Sequence, residues 1–380
     1  MLSTPFARAF RRTDVTADQT TAVAIRIARA RRVKFALAAI ALAFLGSMAV
    51  LLAIDVRLHH KYESSAGFNV WGYRGPVVGT KQRGEYRVAV LGGSSAFGYG
   101  VEWREAIPAL LQGKLAGHRS GPFDRFSVVN LGYNNEGAYS FRYTLDDYLS
   151  LKYDLAVLYE GYNDMMADPR APNVAVFRHD SPVFRLTGYL PIFPIVFREK
   201  AAALMYGNAN QLYTFGEKTV FHPNVATRTA AESLRVAADV SDQLSRQLDR
   251  VTAEPARRIT DVASTGCKTP WQEYCRSLMV ATEFALQHDK QVLVVTQPYL
   301  PGSLGRRQAD QQHEMAAMLD RRFGRDGRVR YVDLGQTVDL QDPALTFDHM
   351  HLTAAGNVRI ADAFVQPVLD MAALGGAASR

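Results

Sequence analysis

The sequence predicts an α/β protein: a three-layer α/β/α domain around a mainly parallel, five-stranded sheet, preceded by one transmembrane helix. Five short runs in the globular part are apolar at almost every position, as strands buried on both faces of a parallel sheet are. Stretches with helical periodicity alternate with these runs, which is typical of helices covering both faces of a sheet. One uninterrupted apolar stretch near the N-terminus predicts the membrane helix.

The N-terminal apolar stretch spans residues 35–54 (FALAAIALAFLGSMAVLLAI) and contains no charged residue. Helical residues at about 1.5 Å each let such a stretch cover the roughly 30 Å hydrocarbon core of a bilayer. One alternative is a helix buried in a protein core, but this stretch is uniformly apolar and has no polar face. A cleaved signal peptide is the other, but its apolar region is shorter, about 7–15 residues, and ends at a small-residue site. An uncleaved membrane anchor is therefore predicted.

The positive charge of the chain is concentrated just before this anchor. The formal net charge is +7, and the tail of residues 1–34 contributes +6 of it through eight Lys or Arg and two Asp. The globular remainder is nearly neutral, so it lacks the electrostatic footprint of a polyanion site and no nucleic-acid partner is expected. The positive-inside rule predicts a single-pass topology with a cytoplasmic tail and residues 55–380 on the other side.

Strands are predicted at the apolar runs, and helices where apolar residues recur at three- and four-residue steps. The predicted strands are 86–91, 126–131, 154–159, 291–296 and 329–334. The last of these runs is the most polar. The predicted helices are 103–115, 143–151 and 274–288, with a further helix starting near Thr353.

The predicted catalytic domain covers residues 85–370 and follows a polar, glycine-containing approach segment, 55–84. The interval between its third and fourth strands is too long for one crossover, so an insertion is predicted at about 168–260. Within it, residues 234–251 predict a helix with one apolar face. The stretch 184–197 is rich in aromatic residues and proline and too short to span a bilayer. Three interpretations of it stay open: a lid over the active site, a patch at the membrane interface, or a buried loop.

The chain has two cysteines, Cys267 and Cys275. Outside the cytoplasm such a pair usually forms a disulfide, and the alternative is two isolated thiols. A metal site would need further ligands nearby, and the sequence offers none.

The first predicted strand is followed by a glycine-rich turn, Gly92–Gly100 (GGSSAFGYG). The turn lacks the Lys-Ser/Thr ending of a phosphate-binding loop and the G-x-G-x-x-G pattern of a dinucleotide-binding turn. It also lacks the second glycine of a G-x-S-x-G elbow, because position 96 is alanine. What remains is Ser94, a serine at a strand end. By itself such a turn is weak evidence for a nucleophile.

Two more strand ends carry residues suited to acyl-transfer chemistry. Asn163 follows the third strand, where its amide can donate to a developing oxyanion, although a helix cap or Asx-turn explains it equally well. Asp348 lies three residues before His351, so its carboxylate can orient the imidazole as a base for a serine hydroxyl. A metal pair of His349 and His351 is the competing interpretation, but no third ligand is evident. One cleft at neighbouring strand ends is expected to collect these segments.

Together these blocks resemble the SGNH (GDSL-type) hydrolase family over roughly residues 69–366. Gly92-Gly93-Ser94 with Gly98 looks like the family's Gly-Asp-Ser-x-x-x-Gly, although glycine replaces the usual Asp at position 93. Gly161-x-Asn163-Asp164 matches Gly-x-Asn-Asp, and Asp348-x-x-His351 matches the block of triad acid and base. The segment 69–75 (NVWGYRG) is similar to bacterial members with an N-terminal anchor.

The resemblance implies a serine hydrolase that needs no cofactor and no metal. Ser94, His351 and Asp348 would form the triad, and Asn163 with the amides of Ser94 and Gly137 the oxyanion hole. Gly132 is the rival for the glycine position. The resemblance also implies a bacterial inner-membrane location, with the catalytic domain outside the cytoplasm.

Three functions stay open at this point. The first is hydrolysis of an O-acyl or O-acetyl ester on an envelope or exported carbohydrate or lipid. The second is acyl transfer to an envelope polysaccharide by the same triad, since the two reactions differ only in the acceptor. The third is a non-catalytic envelope scaffold, against which the complete triad argues.

Overall fold

The computed structural model describes residues 13–63, 67–166, 173–207, 223–252 and 265–378. The chain divides into two compact units, Met1–Val56 and Arg57–Arg380. Helix α1 (Thr13–Tyr62) contains a 34-residue stretch, Arg29–Tyr62, that is long and apolar enough to cross a membrane. Every side chain from Arg29 to Val50 is exposed.

The second unit contains the predicted five-stranded sheet, and all its strand pairs are parallel. The strands are β1 (Glu85–Gly92), β2 (Arg125–Asn130), β3 (Leu155–Tyr159), β4 (Gln291–Val295) and β5 (Val329–Val332), in the spatial order β2-β1-β3-β4-β5. Every residue of β1, β3 and β4 is buried, because these strands are covered on both faces. The edge strands β2 and β5 are only partly buried, which explains why the β5 run is the most polar.

Helices cover both faces of the sheet, as predicted. The helices of this layer structure are α2 (Ser94–Phe97), α3 (Ile107–Leu115), α4 (Tyr139–Asp147), α5 (Tyr162–Met166), α9 (Gln272–Gln287), α10 (Gly302–Phe323) and α11 (Ala354–Ala378). The long C-terminal helix α11 packs against α3, while α4 packs against α9. Because β1–α3–β2 and β2–α4–β3 progress in opposite directions across the sheet, right-handed crossovers place α3 and α4 on opposite faces.

Two predicted helices are divided differently in the structure, while the one predicted to start near Thr353 is confirmed. The 103–115 stretch breaks at Ala106 into a 3₁₀ turn and α3, which has proline in its first turn. The 143–151 helix starts earlier, at Tyr139, and its last residues form a separate 3₁₀ turn. The helix predicted from Thr353 starts at Ala354. Helix α10 is not predicted by the sequence pattern at all.

The predicted insertion contains α6 (Pro182–Thr187), α7 (Phe193–Tyr206) and α8 (Val225–Thr252), which pack on one another. The aromatic stretch 184–197 is therefore largely helical, and Phe184, Leu190 and Phe193 are buried. Of the three interpretations, burial fits these contacts, but the segment consists of parts of two helices and is not a loop. Cys267 and Cys275 form the predicted disulfide.

Candidate active site

The site lies at the carboxyl edge of the sheet, where the strand order reverses. The chain leaves β1 toward β2 on one side and later returns to β3 on the other. Ligand sites of open parallel sheets form in the crevice at such a switch point. Ser94 follows β1 and Asn163 follows β3, so the two residues flank this crevice.

Ser94, His351 and Asp348 form one hydrogen-bonded chain. The Nε2 atom of His351 lies 2.7 Å from the Ser94 Oγ atom, and its Nδ1 atom lies 2.6 Å from the Asp348 Oδ2 atom. With Nδ1 protonated and donating to the carboxylate, Nε2 is free to accept the serine proton. This geometry is the one that an activated serine nucleophile requires.

A tight turn positions Asp348 for this contact. Its Oδ1 atom accepts hydrogen bonds from the amides of His351 (2.6 Å) and Met350 (3.1 Å), and His349 between them adopts a left-handed conformation with φ 62°. Burial by itself would raise the pKa of Asp348, but these bonds and the charge interaction with His351 hold it below its ordinary value. The carboxylate therefore stays ionised through the neutral and mildly acidic range.

The acid–base pair reaches Ser94 by a route that the sequence does not predict. Strand β5 is at the edge of the sheet, separated from β1 by β3 and β4, so the expectation of neighbouring strand ends is wrong for this segment. Three strand spacings of about 4.8 Å leave roughly 14 Å to cross. Residues 333–347 form the loop that returns across the edge, and the Thr346–Leu352 bridge closes it.

The Asn-Asp pair at the start of α5 fixes the loop that contains Gly137. Asn163 Nδ2 donates to the carbonyl of Glu136 (2.7 Å), and Asp164 accepts from the amide of Ala138 (2.8 Å). Gly137 lies between these two contacts, and a Cβ atom there would lie 2.8 Å from the Asp164 carboxylate.

Gly132, the rival for this position, lies elsewhere. Its amide donates to the Asn130 side chain (3.1 Å), and a Cβ atom there would lie 2.6 Å from the amide nitrogen of Phe97 in α2. The structure therefore brings Gly137, and not Gly132, against the Gly-x-Asn-Asp block.

Two buried carboxyls, Glu160 and Asp164, lie beside Asn163 and Gly137. Glu160, at the end of β3, accepts the amide of Gly93. Burial raises the pKa of Glu160 to about 8, assisted by the charge of Asp164, and raises the pKa of Asp164 to about 7.

The approach segment supports the nucleophile turn from outside the sheet. Buried Arg74 donates to the carbonyls of Phe97 and Gly98, both at 2.6 Å, and its guanidinium lies over the Phe97 ring. These carbonyls end α2, where Gly98 adopts a left-handed conformation with φ 86°. The conformation of the Ser94 turn therefore depends on a residue of the segment that resembles anchored bacterial proteins.

Two exposed aromatic rings flank the imidazole of His351. The Tyr99 ring lies 4.8 Å from the His351 ring, and the Phe347 ring lies nearly parallel to it at 5.9 Å. Tyr99 is 47% exposed and Phe347 is 49% exposed, so both present ring surface to an incoming ligand. We call this pair the aromatic rim.

The metal interpretation of His349 gains no support from its surroundings. Its Nδ1 atom donates to the carbonyl of Leu340 (3.0 Å). Within the described ranges, no group of three or more His, Cys, Asp or Glu could hold a metal ion.

Several residues that shape the site are not predicted from the sequence. Arg74, Glu160 and the aromatic rim carry weak local signals, because a single arginine, glutamate or aromatic residue does not form a motif. A direct signal exists only for Glu160, which lies one residue before the Gly-x-Asn-Asp block.

Neither a protein-family model nor a curated protein sequence matches this chain. Distant likenesses to solved structures include an α/β hydrolase enzyme from the metagenome of Lake Arreo, Spain (16% identity, 75% of this chain and 96% of that chain, TM-score 0.40). An acetylxylan esterase from Geobacillus stearothermophilus is 12% identical over 77% and 95% of the two chains, with a TM-score of 0.37. A Clostridium thermocellum family 3 carbohydrate esterase is 11% identical over 75% and 97%, with a TM-score of 0.36. Likenesses this distant decide neither activity nor substrate, and the chemistry of the site rests on its own side chains.

Proposed function

We propose that this chain is an SGNH-type serine esterase that removes O-acyl groups, acetyl groups foremost, from a carbohydrate or lipid ester outside the cytoplasm. The observation that carries the proposal is the continuous chain from Ser94 Oγ through His351 to Asp348. Each link lies within the hydrogen-bond reach that nucleophilic catalysis requires.

The mechanism follows from the positions of these groups. His351 takes the proton as Ser94 attacks the ester carbonyl, and Asp348 stabilises the imidazolium that forms. The Asn163 side chain, with the amides of Ser94 and Gly137, donates to the oxyanion. His351 then returns the proton to the leaving alcohol, and water releases the acyl group from Ser94.

The aromatic rim indicates which alcohol the substrate ester contains. The leaving oxygen must approach Nε2 of His351, so the alcohol emerges beside Tyr99 and Phe347. Flat, half-exposed rings suit the C–H face of a sugar better than they suit a narrow acyl chain, which is usually enclosed.

We therefore expect Tyr99→Ala and Phe347→Ala each to raise the KM for an acetylated sugar about threefold to tenfold. The KM for ethyl acetate, whose alcohol is too small to cover a ring, should stay at the wild-type value. Acetate release measured on both substrates checks this. Trp71→Ala removes another half-exposed aromatic ring and serves as the control. Equal changes of KM on both substrates would argue against the sugar.

Hydrolysis and acyl transfer differ in the acceptor, so product analysis separates them. The full-length chain in detergent micelles is incubated with an acetyl ester and an added oligosaccharide. Release of free acetate supports the esterase assignment, whereas acetyl groups on the oligosaccharide would show that the protein is a transferase. Absence of both products, with no labelling of Ser94, would leave the scaffold as the explanation.

The proposed location follows from the anchor and its charge. The basic tail before residues 35–54 favours a cytoplasmic N-terminus, and the disulfide suits an oxidising compartment. Protease added to intact spheroplasts should therefore degrade a C-terminal epitope tag. Protection of the tag until the cells are lysed would show that the C-terminal domain lies in the cytoplasm.

A further inference from the structure

Glu160 is a buried carboxylate, 2% exposed, between the turns that carry the nucleophile and the oxyanion asparagine. Its Oε2 atom accepts the amide of Gly93 at 2.5 Å. Its Oε1 atom accepts the amides of Gly161 (3.0 Å) and Asn163 (3.1 Å). One side chain therefore joins the residue directly before Ser94 to the residue that is proposed to stabilise the oxyanion.

The space for this contact exists because residue 93 is glycine. A Cβ atom at position 93 would overlap Nδ2 of Asn163 and lie 2.6 Å from Oε2 of Glu160. The backbone of the nucleophile turn can approach the two side chains this closely only without a side chain of its own. The carboxylate and the amide fill the volume that another residue at position 93 would occupy.

The turn that carries Glu160 is itself fixed from behind. The Tyr274 hydroxyl donates to the Glu160 carbonyl (3.2 Å) and accepts from Gln312 (3.2 Å). Gln297 accepts the amide of Tyr162 (3.0 Å), the residue between Gly161 and the asparagine. Because these partners are buried, the Glu160 carboxylate transmits the position of a rigid turn and not that of a mobile loop.

The partners of the carboxylate also define which side chain can replace it. Burial and the charge of Asp164 raise the pKa of Glu160, and the three amide bonds lower it. In the ionised form, which prevails above a pKa of about 8, both oxygens of Glu160 accept hydrogen bonds. A glutamine side chain has one acceptor and one donor, so it can satisfy only part of this set and leaves the Gly93 amide opposite a donor.

We propose that Glu160 is a positioning residue that fixes the separation between the Ser94 turn and Asn163, so that nucleophile and oxyanion donor are aligned before substrate binds. Preorganised donors are effective because they need no rearrangement as charge develops. Glu160 neither touches the reacting atoms nor transfers a proton. This role rests on the proposed function, because it acts through Ser94 and Asn163.

The test uses Glu160→Ala and Glu160→Gln in the full-length chain, assayed at about pH 9, where a carboxyl with a pKa of about 8 is mostly ionised. A displacement of about 1 Å between reacting groups costs roughly 100-fold in rate, so Glu160→Ala should lose about that factor in kcat. KM should remain close to the wild-type value, because the substrate contacts are unchanged. The kcat of Glu160→Gln should lie between those of the wild type and Glu160→Ala, since the glutamine oxygen retains the contacts with Gly161 and Asn163.

Glu314→Ala is the matched control. Glu314 is also a buried glutamate that accepts a backbone amide, that of Lys268 at 3.0 Å, and its carboxylate also pairs with the Lys268 ammonium, away from the Ser94 turn. This variant should lower the melting temperature without lowering kcat per folded molecule. If Glu160→Ala behaves in the same way, the positioning role is refuted while the esterase assignment stands.

Amide hydrogen exchange gives a readout that needs no activity. In Glu160→Ala, peptides containing Gly93 and Asn163 should exchange faster, and peptides from β4 should not change. Unchanged exchange at both turns would overturn the proposal whatever the enzyme does. Faster exchange in a chain whose wild type cleaves no ester would refute the proposed function alone.

Discussion

Ser94→Ala should lower kcat for a chromogenic acetyl ester by about 10⁵- to 10⁶-fold, the loss seen when a triad nucleophile is removed. The reason is that Ser94 Oγ is the only atom of the triad that bonds to the substrate, so His351 and Asp348 then have no hydroxyl to activate. KM should change little, because the alanine removes no binding surface. Acetate release by the purified full-length chain measures both constants.

Ser95→Ala is the control for this substitution. Ser95 is the next residue in the same turn, it is buried, and its hydroxyl has no hydrogen-bond partner among the described residues. Its loss should leave kcat within a small factor of the wild-type value. Comparable losses in both variants would mean that the turn has been disrupted and that Ser94 has no special role.

Asn163→Ala should lower kcat by about 10²- to 10³-fold, or roughly 3–4 kcal/mol of transition-state stabilisation. One N–H of its amide is already engaged by the Glu136 carbonyl, which orients the other for the oxyanion. Because that bond strengthens only as negative charge develops on the substrate oxygen, the loss should appear in kcat and not in KM. Steady-state kinetics on the acetyl ester separates the two.

Asn173→Ala provides the comparison for this asparagine. The Asn173 side chain also donates to a backbone carbonyl of the same loop, that of Asn135 at 2.8 Å, but it lies outside the Gly-x-Asn-Asp block. Its kcat should be unchanged. An Asn163→Ala variant that raised KM while keeping kcat would place Asn163 in substrate binding instead.

The sheet could be predicted because burial leaves a direct trace in the sequence. Strands β1, β3 and β4 are covered on both faces, so each of them consists of a nearly continuous apolar run. Helix α10 could not be predicted in this way, because its buried side contains the polar residues Gln308, Gln311 and Gln312. They are stable there since each donates a hydrogen bond to a buried partner, but they interrupt the apolar period that predicts a helix.

The site residues that could be predicted are those with a local signal in the sequence. Ser94 and Asn163 follow predicted strands within a few residues, and the contact between Asp348 and His351 spans only three residues. The Glu160–Gly93 contact joins residues 67 positions apart, and the return of the β5 loop depends on the strand order. Neither of these is encoded by local spacing, because both arise from how the strands are arranged.

Covalent labelling tests directly whether Ser94 is an activated nucleophile. The full-length chain is treated with a fluorophosphonate, which reacts with activated serine hydroxyls, and the modified peptide is identified by mass spectrometry. We expect one label per chain, on Ser94, and no label in Ser94→Ala or in a chain that is unfolded before treatment. A folded, wild-type chain that stays unlabelled, or a label on another serine that persists in Ser94→Ala, would contradict this expectation.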